Sequence, residues 1–150
     1  MTINGLPLHP LVVHATVVTL PVTAFVALAY LRPKWQHALR WPLFALAVLS
    51  AVLIWITSSS GDSLNHDRFA SATGLLRDRI HSHETWAGRL QVATYIFAGI
   101  AAVLTVGWNA LSRIKFARPV LLALLAVGSI AVIVLVIATG DAGARAAWGQ

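Results

Sequence analysis

The chain has 150 residues, 58% hydrophobic and 11% charged, with net charge +6 and no cysteine. Soluble domains carry roughly 45–50% apolar and about 25% charged residues, so the excess points to lipid. The missing cysteine excludes disulfides, thiolate-held iron–sulfur clusters and covalent haem attachment.

Four segments are long enough to cross a bilayer, which takes about 20 apolar residues. The first covers roughly 10–31 and opens on "GLPLHPLVVH" (5–14). No basic n-region or cleavage site accompanies it, so it is expected to stay in the mature protein. Pro10 sits near the first helical position, where a missing N–H costs little. Pro21 lies mid-span and is expected to free the carbonyl of Val17, with Thr16, Thr19 and Thr23 nearby to compensate.

The second span covers about 41–60, the third about 85–111 and the fourth about 119–140. Pro42 and Pro119 suit helix starts, while Gly61 and Gly140 suit left-handed C-terminal caps. Ala98, Gly99 and Ala102 would allow close helix approach. The short connections at 32–40 and 112–118 imply antiparallel neighbours. The predicted fold is therefore all-α: one integral membrane antiparallel four-helix bundle spanning residues 1–150. No internal repeat is evident.

The connection between spans two and three is long enough to carry structure of its own. Phe69, Ala72, Leu76 and Ile80 form an amphipathic stripe that continues through His83 to Ala87 and Leu90. This outward-facing loop is expected to be partly helical, with Gly74 interrupting it. His83 lies on the inward line, and His81 lies on the opposite side.

Charge sets the orientation. Arg32, Lys34 and Arg40 lie in the first connection and Arg113, Lys115 and Arg118 in the third, with no acid in either. Elsewhere five arginines balance five acids. The positive-inside rule places those two connections in the cytoplasm. The expected location is the cytoplasmic (inner) membrane, multi-pass, with both termini outside. Trp35, Trp41 and Trp108 then mark one interface, and Trp55, Trp86 and Trp148 the other. The basic balance reads as topology and contact with anionic lipid heads. The partner is the lipid bilayer, not nucleic acid, which would want a continuous basic face.

Under this topology every span brings an imidazole or a carboxylate to the outer rim. His9 and His14 are five residues apart, about 140° around a helix, so they cannot share a face. His9 is expected as a capping or loop residue and His14 about one turn inside. His66 and His81 are expected in the loop, and His37 on the inner side. Arg89 lies a turn into span three, where Asp62, Glu84 and Asp141 are candidate partners.

Several readings of this rim are open. His14 and His83 would supply axial ligands to a b-type haem, with Gly88 leaving room for the macrocycle. Alternatively His9, His14, Asp62, His83 and Asp141 would surround one transition metal, with Glu84 and Arg89 behind them. Either would make the chain a redox subunit for electron transfer, beside redox membrane proteins or a second copy of itself. Imidazole–carboxylate pairs would also handle protons or sense pH. The competing class is a structural or assembly subunit of a membrane complex, its histidines and aspartates only capping helix ends. No G-x-S-x-G, H-E-x-x-H or P-loop is present, so catalytic activity of its own is not expected.

The motifs "GLPLHPLVVH", Gly61–Asp62, His83 and "TGDAG" (139–143) resemble a family of bacterial four-span membrane proteins, domain-of-unknown-function family 2231. The resemblance covers essentially the whole chain. It implies the same four-span fold and a redox neighbourhood, since related domains occur fused to Rieske-type or cytochrome c domains. Asp141 stands where family members often have histidine.

Overall fold

The computed structural model describes residues 2–3, 6–68, 71, 73–111 and 114–148. A two-residue antiparallel pairing of β1 (Thr2–Ile3) with β2 (Leu6–Pro7) precedes the helices. These are α1 (Leu8–Tyr30), α2 (Gln36–Arg68), α3 (Gly74–Val106), the single turn α4 (Trp108–Leu111) and α5 (Ala117–Trp148). A 3-10 turn at Pro33–Trp35 leads into α2. Four of them, α1, α2, α3 and α5, are long and apolar enough to cross a membrane. The architecture is a four-helix membrane bundle.

α2, α3 and α5 overrun the expected spans. At 1.5 Å per residue, the 33 residues of α2 reach about 50 Å, well beyond a hydrocarbon core of about 30 Å. Gly61 and Gly140, expected as caps, lie inside helices. A left-handed cap requires positive φ, and among the described residues the glycine with that geometry is Gly74 (φ 61°), the first residue of α3. Most of the long connection is therefore helix. The stripe through Ile80, His83, Ala87 and Leu90 is half-buried to buried, whereas Leu76 is exposed. Phe69 and Ala72 lie outside the described residues.

Pro21 does not break α1, which runs as one helix past it. The hydroxyls near it serve other carbonyls: Thr16 Oγ1 donates to Val12 O (2.9 Å) and Thr23 Oγ1 to Thr19 O (2.8 Å). Such back-bonding leaves no exposed hydroxyl in lipid.

The four long helices form a ring. α1 packs on α2 and α5, and α3 packs on α2 and α5. Leu20, Ala27, Tyr30, Leu43, Phe97, Leu125 and Val132 are fully buried at its centre. Val18, Phe25, Ile96, Val127 and Ile137 point outward, as side chains facing lipid tails would.

The buried positions reveal a repeat that composition and motif order conceal. In α1 and α3 they pair at one constant offset: Thr16 with Leu90, Leu20 with Thr94, Thr23 with Phe97, Ala24 with Ala98, Ala27 with Ala101 and Tyr30 with Leu104. In α2 and α5 they pair likewise: Leu43 with Leu125, Ala47 with Ser129, Ser50 with Val132, Ile54 with Val136 and Ser60 with Ala142. The α3–α5 pair thus repeats the α1–α2 pair position by position, mostly with different residues. Matched positions also meet each other. Tyr30 Oη donates to Leu104 O (3.5 Å), and Arg118 Nη2 donates to Oε1 of the buried Gln36 (2.6 Å).

Candidate functional site

The repeat carries one chemical feature twice. His9 and His83 occupy matched positions in α1 and α3, at one end of the bundle. Nδ1 of His9 donates to the carbonyl oxygen of Thr57 in α2 (3.1 Å), with Ser60 Oγ at 3.2 Å. Nδ1 of His83 donates to the carbonyl oxygen of Thr139 in α5 (3.1 Å). A carbonyl only accepts, so each neutral ring carries its proton on Nδ1.

Glycine makes both contacts possible. Four residues beyond Thr57 is Gly61, and four beyond Thr139 is Gly143. The side chain at i+4 stands over the carbonyl of residue i on a helix. A Cβ at Gly61 would come within 3.1 Å of His9 Cε1, and one at Gly143 within 3.1 Å of His83 Cε1. Each imidazole therefore brings its Nδ1–Cε1 edge against the partner helix through a gap that glycine leaves. The site is a Thr-x-x-x-Gly stretch on one helix receiving a histidine from its neighbour, twice.

The halves differ around the threonine hydroxyls. Thr57 Oγ1 donates to Thr16 Oγ1 (2.7 Å), whose own proton goes to Val12 O. In the second half Leu90 takes the place of Thr16. Thr139 Oγ1 is accordingly buried without a hydrogen-bond partner among the described residues.

Burial holds the His9 imidazole below its ordinary value near 6.5. The bond to Thr57 opposes this, the charge of His83 adds to it, and Asp62 opposes weakly. The two histidines are close enough to feel each other's charge, yet each is spent on its own helix pair.

This geometry corrects the haem and metal expectations. Among the described residues no group of three or more His, Cys, Asp or Glu side chains could hold a metal ion. His14 is exposed, whereas His83 is half-buried against α5, so the two do not face one macrocycle. Asp62 is exposed, and Asp141 is exposed and paired with Arg145 Nε (2.9 Å). His9, His14, Asp62, His83 and Asp141 therefore form no ligand set. Gly88 is exposed, and a Cβ there would meet nothing within 4 Å, so the space it leaves faces away from the bundle. With no ligand set, the readings as a haem- or metal-binding redox subunit, an electron-transfer partner and a histidine cluster all fall.

The flanking residues are engaged elsewhere. Glu84 lies 3.8 Å from Nδ1 of the exposed His81. Arg89 is exposed and lies over the Trp86 ring, 4.8 Å from its centroid. None of Asp62, Glu84 and Asp141 forms an ion pair with it among the described residues. His37 is exposed at the opposite end, and the His66 side chain lies outside the described residues.

Residues 5–150 match the family described as "Predicted membrane protein (DUF2231)". The chain belongs to the DUF2231 family. No curated protein and no solved structure matches it. The resemblance seen in the N-terminal motif thus extends across the DUF2231 chain, and its four apolar helices agree with that membership. Sequence reasoning singled out the histidines of this DUF2231 protein and read Gly61 as a cap and "TGDAG" (139–143) as a family motif, without pairing Thr57 and Gly61 or Thr139 and Gly143 with the histidines they receive. The signal was present: both receiving helices carry threonine and glycine at the same spacing, "TSSSG" and "TGDAG".

Proposed function

We propose that the protein is a non-enzymatic structural subunit of a membrane assembly, four antiparallel helices whose rim histidines lock them in pairs. The observation that supports this is the duplicated tie from His9 to Thr57 and from His83 to Thr139. A ring edge set against a glycine and bonded to a backbone carbonyl fixes the register of two helices. It leaves the imidazole poorly placed for proton transfer to a substrate, which needs a mobile ring within hydrogen-bond reach. Interhelical hydrogen bonds in membranes are worth about 0.6 kcal/mol on average and up to about 1.7. Replacing either histidine with alanine is expected to lower unfolding stability by that amount, with no change in visible absorption or metal content. Loss of a chromophore or metal in His83→Ala would reject the structural role. Blue-native electrophoresis of native membranes tests the assembly: migration only as a free monomer would reject it.

The reading includes a multi-pass orientation in a bacterial inner membrane, with both termini outside. The uneven charge supports it, since Arg32, Lys34, Arg40, Lys115 and Arg118 of the two short connections lie at the end away from His9 and His83. The chain has no cysteine, so single cysteines report cleanly. On intact cells an impermeant maleimide is expected to label Asp62→Cys and Ala144→Cys, and to spare Lys34→Cys and Lys115→Cys. The opposite pattern would invert the topology.

A further inference from the structure

The end of the bundle opposite the histidines carries Arg32, Lys34, Arg40, Lys115 and Arg118 among the described residues, while all five acids lie elsewhere in the chain. The two ion pairs among the described residues, His81–Glu84 and Asp141–Arg145, are both at the histidine end. Two of the cations are not simply displayed to water. The guanidinium carbons of Arg118 and Arg40 lie 4.0 and 5.7 Å from the centroid of one ring, Trp108. Their charges are therefore within about one Debye length, ~10 Å at 0.1 M salt. Each is also anchored: Arg40 Nε donates to Thr105 O (2.6 Å), and Arg118 Nη2 to Gln36 Oε1 (2.6 Å).

Such positioning holds two like charges together against their repulsion. A guanidinium has five N–H donors, and one on each arginine is spent in these bonds. The remaining donors suit the forked recognition of a phosphate. Trp41, Ile114 and Phe116 are exposed at the same end, the kind of apolar surface that acyl chains and the headgroup boundary cover. We propose that Arg40 and Arg118, held on Trp108, bind the phosphate of an anionic phospholipid. The site takes a lipid rather than free phosphate because its rim is apolar as well as cationic. This inference rests on the membrane-spanning fold and is independent of the histidine ties.

The test uses the full chain in mild detergent. Phosphatidylglycerol or phosphatidylcholine is added with or without millimolar inorganic phosphate, and retained lipid is counted by native mass spectrometry. Phosphatidylglycerol is expected to be retained over phosphatidylcholine and not displaced by phosphate. Arg40→Gln/Arg118→Gln should reduce retention by roughly fivefold per arginine. Lys34→Gln/Lys115→Gln removes equal charge from the same end without touching Trp108 and should reduce it far less. Should the arginine variant not fold, Arg40→Lys/Arg118→Lys keeps the charge, removes the forked donors and should still lose retention severalfold. Equal retention of both lipids, displacement by inorganic phosphate, equal loss in the two glutamine variants, or no loss in the lysine variant would each overturn the proposal.

Discussion

Replacing Gly143 with alanine probes the histidine tie through its least obvious partner. A helix normally gains from this exchange, by about 0.5–1 kcal/mol, because alanine loses less backbone freedom. Gly140, exposed one turn earlier on α5, should show that gain, since a methyl group there would meet nothing within 4 Å. At Gly143 the new methyl carbon meets His83 Cε1 at 3.1 Å and Nδ1 at 3.2 Å, inside the 3.4 Å where ordinary contact begins. The ring must give by a few tenths of an ångström, which weakens its bond to Thr139 O by about 0.5–1.5 kcal/mol. Crowding adds about 1–3 kcal/mol. Set against the propensity gain, Gly143→Ala should destabilise by roughly 0.5–4 kcal/mol. Equilibrium unfolding in mixed micelles, followed by helical circular dichroism, measures this. The same exchange in a His83→Ala background should turn stabilising, because the obstacle is gone. Equal stabilisation by Gly140→Ala and Gly143→Ala with His83 present would refute the reasoning, as would a cost that persists without the ring.

Thr139→Val removes a buried hydroxyl that has no hydrogen-bond partner among the described residues and should leave stability unchanged or raise it by up to about 1 kcal/mol. Thr57→Val, which breaks the bond to Thr16, should instead lower it by about 0.6 kcal/mol, and the same unfolding assay compares the two. Acid should weaken the fold through His9. Its folded value lies below the ordinary 6.5, so the unfolded chain binds the proton first. This contribution is intact above about 6.5, is lost as pH falls from there toward the folded value, and then levels off. Melting temperature between pH 7.5 and 5 should show that fall, and His9→Gln should flatten it; an unchanged slope in His9→Gln would remove His9 from the effect.

Composition made the four spans legible, because lipid demands long apolar runs and little else satisfies them. Helix ends were less so. Gly61 and Gly140 look like terminators, yet Gly61 is there to admit an imidazole, a tertiary reason invisible to local capping rules. The histidines show the same limit. Helix spacing keeps His9 and His14 from sharing a face, but it reads His9 as a capping or loop residue and sets His14, one turn into the span, as the ligand. The inward stripe of α1 runs through Thr16, Leu20, Thr23, Ala27 and Tyr30. Traced back seven residues, two turns, from Thr16, it arrives at His9. The duplication is hidden in the sequence because equivalent core positions share burial rather than identity: Thr23 and Phe97 share a place in the ring but not a chemistry. The cofactor expectation failed because gathering ligand-type residues at one rim says nothing about where their side chains are spent.

The most direct test is nitrogen NMR of the histidines in the reconstituted, 15N-histidine-labelled protein near pH 7.5. His9 and His83 should each carry a proton on Nδ1, slow to exchange, and be free of any paramagnetic or metal-induced shift. His37, exposed at the other end, should exchange rapidly. If His9 and His83 were instead protonated on Nε2, or exchanged as fast as His37, the paired ties at the rim would not exist.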